Sequence, residues 1–307
     1  MDRLKTSWML GILLCLLGSG AIAGCRAPAK LPQSPTTAEV MVSIPPQAYW
    51  VNRIGGAAVK VETMVPAGTE PHTYEPSPAQ LRVMSRADAY FQIHIGFEEA
   101  WMDRFRAINP RMKVVDTTSG IQRLPLPTPI YSAEPSPLAP QGQAAKDNVD
   151  PHIWLSPQLA KKQVQVIYDT LSQLRPPESA QFQQNFQVLG QDIDRLDQTI
   201  RTRLKNLKNR RVLVVHPAWG YFARDYQLQM FAVEVGGEEP SAAELANLVR
   251  FAKQHHIKVV FASPQFSQRA SKTIAQEIGG KVLLIDPLAY DWIDNLQQVA
   301  ETFSEEL

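Results

Sequence analysis

Four residues far apart in the chain carry the donor atoms a divalent transition metal takes. His72 stands in Pro71-His72-Thr73-Tyr74-Glu75-Pro76, after an apolar β-rich run, and His152 in Asp150-Pro151-His152-Ile153-Trp154. His216 closes Val214-Val215-His216 ahead of Pro217, and Asp286 follows the apolar run 282–285 ahead of Pro287. In open parallel sheets the carboxyl ends of the strands line the binding crevice, so His72, His216 and Asp286 are expected to converge at one edge. His152 lies where a proline-rich stretch meets a long helical pattern, and faces the same cleft if that helix spans both halves of the chain. Three imidazoles and one carboxylate make a closed four-donor set. Such a set suits Zn2+ better than Mn2+, which prefers more oxygen; Mn2+ or Fe2+ is the alternative.

The other histidines read differently. His255 and His256 end a helical pattern at its polar end, where imidazoles suit the helix dipole. His94, in Ile93-His94-Ile95-Gly96, also closes a strand pattern, so a structural role and a place beside the metal are both open.

The elements that must position these groups alternate. Strand patterns at 40–44, 59–65, 89–94 and 113–117, and again at 211–216, 229–235, 259–262 and 282–285, are separated by helical patterns, the signature of an α/β fold. Ser77-Pro78 with Gln80, and Ser241 with Glu244, are capping boxes that open helices. Residues 156–209 are helical in pattern, interrupted at Pro176-Pro177. Within them Phe182, Phe186, Leu189, Ile193, Leu196, Ile200, Leu204 and Leu207 form one stripe at three- and four-residue steps. That stripe predicts one long helix buried on a single face. The expected architecture is therefore α/β, two lobes each with a parallel four-stranded sheet flanked by helices, joined by a long helix, with the metal site in the cleft between them. The lobes are expected at 39–155 and 210–307, with 156–209 linking them and 121–150, which holds six prolines, as a surface loop.

The first residues look like an export signal. Arg3 and Lys5 precede an apolar run over 8–17 and small residues over 18–24, the pattern of a secretory leader, which places the protein in the cell envelope. The leader ends in Ile22-Ala23-Gly24-Cys25, which resembles a bacterial lipobox, so Cys25 is expected to be the first mature residue and to carry lipid into the membrane. Residues 25–38 then read as a flexible tether. The other cysteine, Cys15, lies in the leader, so the mature chain has no internal disulfide and relies on its core or on bound metal. With Asp2, Arg3 and Lys5 removed, basic and acidic residues balance. This argues against a nucleic-acid partner.

Several segments, in order, resemble the metal-specific solute-binding proteins of ABC transporters, the family of zinc-uptake periplasmic binding proteins and manganese-binding surface lipoproteins. They are Pro71-His72-Thr73-Tyr74-Glu75-Pro76-Ser77-Pro78, Asp150-Pro151-His152-Ile153-Trp154-Leu155-Ser156-Pro157, Glu239-Pro240-Ser241 and Pro264-Gln265-Phe266. The resemblance runs from about Val40 to the C-terminus. It implies that His72, His152, His216 and Asp286 are the metal ligands and that a monomeric receptor hands its ion to a membrane permease. It also implies a rigid linking helix and limited lobe motion. Manganese-type members usually carry glutamate at the third ligand position, where this chain has His216. Two positions depart from the family pattern: 121–150 lacks the histidine-rich loop of many zinc-type members, and Ser263 stands where glutamate commonly precedes Pro-Gln-Phe.

Other classes make different demands. A zinc hydrolase would keep an open coordination position and a base, for which Glu70 or Glu75 could be cast, but no His-Glu-x-x-His or nucleophile-elbow pattern is present, so no enzyme is expected. A lipid-anchored adhesin would share the tether and need no metal.

Overall fold

The computed structural model describes residues 37–126, 149–234 and 240–307. The leader, Cys25, the tether up to residue 36, most of the proline-rich loop and Glu239 lie outside the described residues; Ala38, expected in the tether, already opens the first strand.

The first half contributes β1 (Ala38–Val42), α1 (Pro45–Gly55), β2 (Val59–Thr63), α2 (Pro78–Met84), β3 (Ala89–Gln92), α3 (Gly96–Ile108) and β4 (Lys113–Asp116). Two long helices follow, α4 (Pro157–Leu174) and α5 (Ser179–Arg203). The second half contributes β5 (Arg211–Val214), α6 (Gly220–Asp225), β6 (Gln229–Ala232), α7 (Ala242–Gln254), β7 (Val259–Ala262), α8 (Arg269–Glu277), β8 (Lys281–Leu284) and α9 (Trp292–Glu306).

The strands form two parallel four-stranded sheets, β2-β1-β3-β4 and β6-β5-β7-β8, so each half repeats the same winding. Val40 pairs with both Val61 and Ala89, and Val214 with both Ala232 and Phe261, which makes β1 and β5 interior strands. Both are almost wholly buried, as apolar strands covered on two faces must be. Several strands stop before their apolar pattern does. Ile44 already caps α1, whose first two residues are prolines, and His94 turns into the left-handed region at φ 58°, so both chains leave the sheet to build loops.

Pro176 and Pro177 break the helical region, as their missing N–H groups require. The result is an α4–α5 pair. Tyr168 stacks on Phe186 at 4.8 Å and Lys161 reaches Asp194 at 2.7 Å, so the helices run antiparallel. Leu189, Ile193, Leu196 and Ile200 are fully buried along α5. That helix ends at Arg203, short of the expected stripe, and Leu204 and Leu207 pack in the turn beyond it. α5 serves both halves: Asn185 Nδ2 donates to the Ile54 carbonyl of α1 at 2.9 Å, and Arg203 pairs with Glu301 of α9 at 3.0 Å.

A single apolar core runs from the first sheet through α1, α4, α5 and α9 to one face of the second sheet, and a separate cluster fills that sheet's other face. Three tryptophans close the seam between the lobes. Trp50 of α1 meets Trp292 of α9 edge to face at 5.4 Å, Trp292 Nε1 donates to the Trp154 carbonyl at 2.8 Å, and Trp154 Nε1 donates to the Pro287 carbonyl at 2.7 Å. Among the described residues no helix is long and apolar enough to cross a membrane.

Candidate metal centre

The loop after β2 carries His72 into the cleft. Glu70 accepts hydrogen bonds from the backbone N–H groups of His72 at 2.6 Å and Thr73 at 2.9 Å, and from the Thr73 hydroxyl, which folds the loop into a tight turn. Glu70 is thus committed to holding backbone rather than poised as a base. The start of α3 lies against this turn: a Cβ at Gly96 would stand 2.9 Å from the His72 carbonyl oxygen, so only glycine allows the approach.

His152 enters from the stretch preceding α4. One oxygen of Asp150, Oδ1, accepts both its backbone N–H at 2.9 Å and its Nδ1–H at 2.7 Å. That contact fixes the tautomer and leaves the Nε2 lone pair facing the cleft. Asp150 is buried, its Oδ2 has no partner among the described residues, and a Cβ at Gly220 would stand 2.6 Å from it. Burial pushes the Asp150 carboxyl up to about 8 and holds the His152 imidazole well below its usual range. A cation on Nε2 reverses that balance by favouring the carboxylate.

His216 follows β5 by two residues. Its Nδ1 lies 3.3 Å from Oε2 of the buried Glu234, and Phe266 stacks on the ring at 4.2 Å with the planes 19° apart. Two of the three histidines are thus backed by carboxylates, an arrangement common behind metal-binding imidazoles.

The three rings converge. His216 Nε2 lies 3.2 Å from His152 Nε2 and 3.3 Å from His72 Nε2, and the donor atoms of all three lie within 4.8 Å of one another. Nitrogens bound at 2.0–2.1 Å to a tetrahedral zinc stand about 3.3 Å apart. The two edges that meet at His216 therefore have the length that tetrahedral zinc requires. Burial, followed by the two neighbouring imidazoles, lowers His72 to about 3, so its ring is neutral and able to coordinate at neutral pH.

Asp286 does not join this triangle. It follows β8 at the same sheet edge as His216, but its Oδ1 accepts from Gln265 Nε2 at 2.6 Å and from the Leu288 backbone at 2.8 Å. His94 stands apart as well: its Nε2 lies 3.3 Å from Asp116 and its Nδ1 3.3 Å from the Gln92 amide, a structural pairing at the ends of β3 and β4. His255 caps α7 and packs against Phe251 at 4.4 Å, and the adjacent His256 has a left-handed backbone, both away from the cluster. The supports beneath the imidazoles were harder to foresee. Asp150 and Phe266 lie inside conspicuous motifs, whereas Glu234 closes a short strand with nothing nearby to mark it.

Comparison with known proteins places these features in context. The family described as ZnuA, zinc-uptake complex component A, periplasmic, matches residues 40–306. The high-affinity zinc uptake system protein ZnuA of Bacillus subtilis is 27% identical over 290 residues, covering 92% of this chain and 89% of that protein. Among solved structures, a crystal structure of ZnuA superimposes with a TM-score of 0.80 at 41% identity, covering 88% of this chain and 99% of the other. A ZnuA deletion mutant with zinc bound gives 0.78 at 41% identity, covering 88% and 98%.

Proposed function

The chain belongs to the ZnuA family of periplasmic zinc-uptake components, and from that premise we propose that it is the substrate-binding component of an ABC transporter, capturing one Zn2+ between its lobes and delivering it to a membrane permease. His72, His152 and His216 supply three nitrogens, and Asp286 supplies the fourth donor when the ion is present. The ion is cargo, so the site is expected to bind and release without turnover. A leader ending at Gly24 and a lipid on Cys25 would hold a monomeric receptor outside the cytoplasm, at the membrane where its permease sits.

The observation that carries this reading is the convergence of three imidazoles, with His216 Nε2 standing 3.2 and 3.3 Å from the Nε2 atoms of His152 and His72. With Nδ1 of His152 and of His216 each facing a carboxylate, their Nε2 atoms present lone pairs to one another, an arrangement that a cation between them relieves. Histidine at position 216 favours zinc over manganese, because it replaces an oxygen donor with a nitrogen. Calorimetric titration of the chelator-stripped protein tests the proposal. One Zn2+ per chain with a dissociation constant below about a micromolar supports it; millimolar binding, or binding that survives loss of His152 and His216 together, overturns it.

A further inference from the structure

The loop after β7 bridges the two proposed ligand positions of the second lobe. In the sheet order β6-β5-β7-β8, β7 lies between β5, which leads to His216, and β8, which leads to Asp286. Two consecutive residues of that loop touch both: Phe266 stacks on the His216 ring at 4.2 Å, and Gln265 Nε2 donates to Asp286 Oδ1 at 2.6 Å. The amide orientation is set by chemistry, since an ionised carboxylate only accepts. Asp286 Oδ1 also takes the Leu288 N–H at 2.8 Å, so one of its oxygens is saturated by two donors. Gln265 Oε1 is buried without a hydrogen-bond partner among the described residues, a cost accepted to aim the other end of the amide.

We propose that Gln265 is a positioning residue for metal selectivity, holding Asp286 as a one-oxygen donor and so keeping the site four-coordinate. This rests on Asp286 being the fourth ligand. With Oδ1 engaged, the carboxylate offers only Oδ2, which completes a tetrahedral zinc site. A released carboxylate can chelate through both oxygens, and the added oxygen favours Mn2+ and Fe2+, which take higher coordination numbers. Gln265 therefore acts on the choice of metal through Asp286, without touching the ion.

The test compares wild type, Gln265→Met, Asp286→Ala and the double variant, each loaded with Zn2+, Mn2+ or Co2+. Gln265→Met removes the donor at nearly constant volume, and Gln265→Leu serves as a second variant if the melting curve shows that the first folds poorly. Gln265→Met should narrow the preference for Zn2+ over Mn2+ by about tenfold, the equivalent of one charge-assisted hydrogen bond. It should also weaken the intense visible absorption of four-coordinate Co2+. In the Asp286→Ala background it should change neither. If Gln265→Met keeps the wild-type preference and spectrum while Asp286→Ala weakens Zn2+ binding, the role of Gln265 is overturned and the ligand set stands. If Asp286→Ala leaves Zn2+ affinity unchanged, Asp286 is not a ligand, and this inference falls with it while binding by the three histidines remains.

Discussion

Asp150 grips His152 at two points through a single oxygen, taking the backbone N–H at 2.9 Å and the ring Nδ1–H at 2.7 Å. The first contact sets where the residue sits and the second sets which nitrogen faces the cleft. Asp150→Asn keeps the size but replaces an acceptor with an amide that can present its N–H to Nδ1, favouring the wrong tautomer. Zinc affinity should fall by about 10–100-fold, the usual loss when a partner behind a metal-binding histidine is altered. Competition with a fluorescent chelator would measure it; an unchanged constant would show that the contact is only structural.

Gly96 gives a steric test of the first lobe's contribution. Gly96→Ala would place a methyl group 2.9 Å from the His72 carbonyl oxygen, with backbone on both sides of the clash. Overpacking of this kind costs about 1–3 kcal/mol, and the loop carrying His72 is the more movable partner. The variant should retain wild-type circular dichroism while binding zinc more weakly. Equal losses of stability and binding would instead indicate a general disturbance of α3.

The metal-free protein should be acid-sensitive through His72. Its folded pKa of about 3 lies below the ordinary 6.5, so its contribution is present above pH 6.5 and is lost as the pH falls from there toward 3. Asp150 and His152 shift in opposite directions, and their slopes largely cancel over this window. The residual dependence is on the order of 1 kcal/mol per pH unit. Urea unfolding between pH 4 and 7 should therefore show a flatter profile for His72→Asn than for wild type. Parallel profiles would remove His72 as the source.

The tryptophan seam predicts coupled unfolding. Trp50→Ala removes a fully buried ring packed on Trp292 and should cost about 3–5 kcal/mol. Because Trp292 also bonds the Trp154 carbonyl, both lobes should be destabilised together. Differential scanning calorimetry is expected to give one transition at a lower temperature; two resolved transitions would mean that the lobes are energetically independent.

Much of this was legible in the chain itself, for identifiable reasons. His216 and Asp286 follow strand ends, where sheet topology directs side chains to a common edge, whereas His72 and His152 stand in loops marked by their own proline-flanked motifs, and the eight strands follow from short apolar runs between helical patterns. The limits are also physical. The strand patterns run past the strands because the apolar residues at 44, 93 and 285 stay buried beyond the strand ends. Glu234 escaped notice because a buried carboxylate at a strand end differs from a surface one only in its partner, which lies 18 residues away. Asp286 illustrates the same limit from the other side: its position on the edge could be foreseen, but not its engagement with Gln265, since that depends on which loop lies between two others.

The shared core has a bearing on how cargo leaves. With α5 packed against both lobes and three indoles locked across their seam, pulling the halves apart would tear open the interior, so unloading cannot work like a clamshell. Among the ion's proposed holders, His72 rides on a turn tied mainly to its own Glu70 and Thr73, whereas His152 and His216 are anchored to buried acids. Discharge at the permease is therefore expected to begin by peeling away that one turn, a small displacement at the rim that strips a single nitrogen from the metal and leaves the scaffold standing.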